Sequence, residues 1–70
     1  MLLKELDTVA LLEDLPSLGL QRGMVGVVVL AGADPRLCSV AFVVNAQGEQ
    51  SLATNIETQL LLPLAWWGGN

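Results

Sequence analysis

Seventy residues hold a single domain, and at that size roughly 60% of the unfolded chain's surface is buried on folding, so a sound apolar core or a partner must supply stability. Cys38 is the sole cysteine and there is no histidine, which excludes an intrachain disulfide and a Cys/His zinc site. A formal net charge of −4, with only Lys4, Arg22 and Arg36 basic and all three scattered, excludes the cationic footprint that nucleic acid requires.

Residues 1–6 form a short amphipathic lead-in, and the segment 7–13 follows (Asp7-Thr8-Val9-Ala10-Leu11-Leu12-Glu13). Leu2, Leu3, Leu6, Val9, Ala10 and Leu12 fit a helical stripe, while Val9 and Leu11 against Thr8 and Ala10 fit a strand with two faces. On composition alone the two readings compete. A barrel needs a strand to pair with Val25–Leu30, and this segment is the nearest candidate. Residues 13–20 then read as a loop with one helical turn. Pro16 suits the first position of that turn, Gly19 can close it with positive φ, and Leu15, Leu18 and Leu20 are expected to pin it to the core. Gln21-Arg22-Gly23-Met24 is the tight turn into the second strand, Val25–Leu30. Gly26 sits inside that strand, where glycine costs stability unless a bulge or the close approach of another backbone requires it.

A turn-rich connection over 31–36 leads to the third strand, 37–44, with Cys38, Val40, Phe42 and Val44 expected inside. Residues 45–48 are a hairpin turn with Gly48 at the left-handed position. The fourth strand is read over 49–54 with Leu52 inward, and 55–59 are expected to hold a single 3-10 turn. Leu60–Leu64 closes the sheet, and Pro63 places that strand at an edge or an end. The residue pattern therefore predicts an all-β, five-stranded SH3-like small barrel over 1–64, with one or two short 3-10 turns and a C-terminal tail over 65–70.

No constellation carries chemistry. Glu13 and Asp14 are neighbours, which on a strand sends their carboxylates to opposite faces, whereas general acid–base work needs two groups converging on one bond. Cys38 has no histidine to activate it, and its neighbours Leu37 and Val40 suit a buried thiol. Gly19, Gly23 and Gly26 precede a β-branched strand rather than a helix, and no lysine follows, so they make neither a dinucleotide fingerprint nor a P-loop. The chain is read as non-enzymatic, with no catalytic residues, no metal and no cofactor.

Apolar residues reach 53% while charged residues are 14%, more than a domain this small can hide, so an exposed apolar patch is expected. Trp66 and Trp67 suit a partner contact, because tryptophan buries a large area at little entropic cost, and Leu3 joins them as the third candidate partner-binding residue. The expected partner is another protein or a second copy of the chain, with no membrane contact. No apolar run is long enough to span a bilayer and the N-terminus lacks a basic-then-apolar leader, which together predict a cytoplasmic protein.

The string LDTVALLEDLPSLGLQRGMVGVVV, residues 6–29, resembles the opening of the small bacterial family of domains of unknown function four-nine-two-six. Members open with D-x-V-x-L-x-x-D-x-P and then G-L-x-x-G-x-x-G-x-V, which fall here on Asp7, Val9, Leu11, Asp14, Pro16, Gly19, Leu20, Gly23, Gly26 and Val28. Val40 and Phe42 match the family's V-x-F, and Gln59 through Leu64 resemble its ending. The likeness covers residues 6–64 and implies an SH3-like barrel with no established activity. It leaves three expectations side by side: an interaction or accessory module, an antitoxin- or immunity-like inhibitor of a neighbouring gene's product, and small-ligand binding in the barrel mouth.

Overall fold

The computed structural model describes residues 3–64. Five strands and two single 3-10 turns follow one another: β1 Thr8–Leu11, a 3-10 turn at Pro16–Leu18, β2 Val25–Ala31, β3 Leu37–Val43, β4 Gln50–Glu57, a 3-10 turn at Thr58–Leu60, and β5 Leu61–Pro63. All pairings are antiparallel, in the order β4-β3-β2-β1-β5. The last strand thus returns beside the first, as in an SH3-like small barrel. The competition between helix and strand in the first segment resolves to strand, because β1 is hydrogen-bonded on both sides, by β2 and by β5.

The inner face is built by alternation. Val9 and Leu11 of β1, Val28 of β2, Cys38, Val40 and Phe42 of β3, Ala53 and Ile56 of β4, and Leu61 of β5 form one buried cluster with Leu20 from the first loop. No polar or charged residue is buried among the described residues. Gly26 faces this core, in register with Val9 on one side and Phe42 on the other. A Cβ there would come within 2.7 Å of the Ala41 carbonyl oxygen, 2.7 Å of Val40 Cγ1 and 3.0 Å of the Phe42 ring. The glycine is required by the close approach of β3, and its missing side chain is the space that Phe42, wholly buried, helps to fill.

Two bulges bend the sheet around Ser39. Val29 is the extra residue on β2, where Val28 pairs with Val40 but Leu30 with Ser39. On β4, Cys38 pairs with Ile56 and Val40 with Ala53, so two residues of β4 oppose one of β3, and Asn55 takes the left-handed conformation at φ 56°. The first loop is cross-braced. Leu15 and Leu20 exchange N–H to carbonyl bonds at 2.9 and 3.1 Å, Gly19 closes the 3-10 turn at φ 70°, and Asp14 Oδ1 accepts the Arg22 N–H at 2.8 Å.

Four expectations need correction. Leu52 points outward, because the register pairs it with Ala41, and Ala53 and Ile56 take the inner positions instead. Val44 is exposed: it lies past the end of β3, where its N–H bonds the Glu49 carbonyl in the hairpin neck. Leu18 is exposed on its 3-10 turn, leaving Leu15 and Leu20 to anchor the loop. The second 3-10 turn begins at Thr58 rather than Asn55, because the β4 bulge carries the strand on to Glu57.

Candidate functional site

The outer face of the sheet is the main surface feature of the molecule, and it follows from strand parity. With Val9, Leu11, Val28, Val40 and Phe42 turned in, their neighbours turn out. The register lines these up in two rows. One runs Thr8, Val27, Ala41, Leu52 across β1 to β4. The other runs Leu62, Ala10, Val25 across β5, β1 and β2, and Val43 of β3 lies one residue beyond the Gly26–Phe42 pair. Gln50 of β4, paired with Val43, ends that second row. Apart from Thr8 and Gln50 these side chains are aliphatic, and none of them is charged. Val25, Val43, Leu52 and Leu62 are each 40–62% exposed. Ala41 is only 8% exposed although it faces outward, because it lies between Val27 and Leu52 in its row.

The expected apolar patch therefore exists, on β1 to β5. Of the residues proposed from sequence for a partner contact, Leu3 is half-buried and packs against the core cluster, beside a small cleft of about 180 Å³ that it lines with Pro35, Cys38 and Thr58. Trp66 and Trp67 lie outside the described residues. The stripe was readable in principle. Val25, Val27, Val43 and Leu62 are the alternates of core positions, and a strand with both faces apolar signals a second packing surface.

The titratable groups do not converge. Among the described residues no three of His, Cys, Asp and Glu stand close enough to hold a metal ion. Glu13 and Asp14 are exposed, and Asp14 is used in bracing the loop. Asp34 is held below the ordinary carboxylate value by hydrogen bonds from the Arg36 side chain and then from its backbone N–H, an exposed local contact with Nε–Oδ1 at 3.2 Å. Cys38 is buried, and loss of solvent pushes its thiol above the usual range, away from nucleophilic thiolate. A depression of about 440 Å³ is open to solvent and lined by Asp14, Pro16, Gly19, Leu20, Gln21 and Arg22. No helix among the described residues is long and apolar enough to cross a membrane.

Fold and surface together define a small all-β domain of SH3-like strand order, with a buried apolar core and, among the described residues, a second apolar face that is exposed. The chain belongs to the family described as Domain of unknown function (DUF4926), whose model matches residues 5–59. Neither a curated protein nor a solved structure matches it.

Proposed function

We propose that this domain is a non-enzymatic protein-interaction module, and that the outer sheet face is where it engages its partner. The observation that carries this reading is the uncharged aliphatic stripe of Val25, Val27, Ala41, Val43, Leu52 and Leu62. Aliphatic side chains left in water forgo roughly 25 cal/mol for each Å² that a partner would cover. The dispersed titratable groups support the same reading. The one thiol is buried, the chain has no histidine, and among the described residues no three of His, Cys, Asp and Glu cluster as a metal site would need.

Affinity purification of the full chain from its own host, beside a Val25→Lys variant, tests the proposal. The expected result is a protein, either a distinct partner or the chain itself, that co-purifies with the parent and is lost from the variant. A parent that is monomeric and captures nothing, or a capture indifferent to Val25→Lys, would overturn it.

A further inference from the structure

We propose that the open edge of β4 is a docking site for an extended, basic segment of another protein, which joins the sheet as a further strand. The contact is made by main chain at the rim of the sheet. It is a second site, separate from the outer stripe, and does not depend on it.

The sheet ends on β4 at one side and on β5 at the other, and the two edges differ in what they offer. In an antiparallel ladder, residues bonded to the neighbouring strand alternate with residues whose N–H and carbonyl point away from it. On β5 the Leu64 N–H bonds the Thr8 carbonyl and the Leu60 carbonyl accepts the Leu12 N–H, so Leu61 and Pro63 point away from β1. The Leu61 N–H is turned back onto the Thr58 carbonyl, and proline has no N–H to give. The edge of β5 therefore presents no donor.

On β4 the Val44 N–H bonds the Glu49 carbonyl at 2.9 Å, and the register continues through Phe42–Ser51 and Val40–Ala53. Gln50 and Leu52 therefore turn their N–H and carbonyl groups away from β3, and among the described residues nothing bonds them. Donors and acceptors at this two-residue spacing are complemented by the backbone of another extended chain, the mode in which a peptide adds a strand to a sheet. Edges are ordinarily blunted by proline, lysine or a bulge. Residues 49–53 hold neither proline nor lysine, and the bulge lies beyond Ala53.

The side chains define the chemistry of the incoming strand. Leu52, 62% exposed, stands at the middle of the open stretch and favours an apolar residue opposite it. Glu49 and Glu57 lie at the two ends of β4, the strand itself carries no basic residue, and the whole chain is at −4. Lysine or arginine on either side of the apolar residue complements that charge.

Panning a display library of random decapeptides against the immobilised full chain tests this, followed by amide exchange on the complex with a synthetic copy of an enriched peptide. The enriched peptides are expected to lack proline and to place an apolar residue between basic ones. The Gln50 and Leu52 amides are expected to exchange fast in the free chain and to slow by roughly tenfold or more in the complex. Methylation of the Leu52 backbone nitrogen, in a chain joined from two synthetic segments at Cys38, removes the donor and keeps the side chain. It is expected to leave the circular dichroism spectrum unchanged and to abolish peptide binding, whereas Val25→Lys is expected to bind as the parent does.

A library that yields no peptide overturns the proposal, as does a peptide that leaves both amides exchanging as in the free chain. Binding that survives methylation in a folded chain, or a consensus without basic residues, overturns it too. A chain that fails in these ways yet loses a co-purifying protein on Val25→Lys would overturn the edge site and leave the outer-face reading standing.

Discussion

Gly26 shows how one absent side chain sets a packing distance. The β2 backbone at this position lies so close to β3 that a methyl group would meet the Ala41 carbonyl oxygen at 2.7 Å, and a carbonyl within a paired strand has little room to retreat. Gly26→Ala is expected to cost about 2 kcal/mol, read as a lower urea midpoint at unchanged slope. A variant as stable as the parent would refute the close approach. Leu6 makes the opposite case. It has φ 74° and is 81% exposed, so it bears the cost of a left-handed conformation while burying almost nothing. Leu6→Gly is expected to stabilise the fold by about 0.5–1 kcal/mol, net of glycine's greater entropy in the unfolded chain. A loss of stability would show that the Leu6 side chain has a packing role. Cys38 provides a titration. Its folded thiol pKa lies above the unfolded value, so the folded state holds the proton longer. That contribution to stability is fully present below the unfolded pKa and is lost as pH rises through the interval up to the folded one. Stability should therefore decline with pH above about 8.5, and a Cys38→Ala variant should show a shallower decline. Identical slopes in the two proteins would refute this.

At the scale of the element, β4 is the strand that sequence pattern reads least well. Its inner positions, Ala53 and Ile56, are three apart instead of two, because the bulge at Asn55 inserts a residue between them. A period-two reading anchored at the hairpin instead selects Leu52, which the register turns outward. The other strands lack this difficulty within their cores: β1 alternates cleanly at Val9 and Leu11, and β3 at Cys38, Val40 and Phe42. The turns were legible for the same local reason, since Gly19, Gly23 and Gly48 all adopt positive φ where the chain reverses. What local pattern could not supply was the outer stripe as a whole, whose rows exist only once five strands are placed in register. The bulge makes its own prediction. Asn tolerates the left-handed region and β-branched residues do not. Asn55→Gly should leave stability within about 0.5 kcal/mol of the parent, whereas Asn55→Val should cost about 2 kcal/mol. Equal midpoints for the two variants would mean that the bulge can relax into a regular ladder.

At the scale of the molecule, stability depends on closure. β5 brings Leu61 into the core and pairs with β1 through Val9, Ala10 and Leu11, and these contacts join opposite ends of the sequence. A 70-residue domain has little stability to spare. A chain ending at Leu60 is expected to be unfolded by circular dichroism, and one ending at Leu64 to fold with a cooperative thermal transition. A folded chain ending at Leu60 would show that the four-stranded remainder is self-sufficient. The low charge content and the two apolar faces belong to this scale as well. The inner face holds the fold together, and the outer face is left for the association proposed above.

The pairing of first and last strands also decides how the molecule would yield to force. The register sets Val9, near the start of β1, against Pro63 at the end of β5, and the Leu64 N–H bonds the Thr8 carbonyl at 2.8 Å beside them. A pull applied through the two ends of the chain therefore meets this pair from its open side. It loads the hydrogen bonds one after another, as in opening a zipper, and never shears them all together. Mechanical resistance should be low whatever the resistance to heat or urea. A motor that grips the C-terminal side of β5 would begin by peeling β5 from β1, and the core would lose Leu61 before any other strand moved.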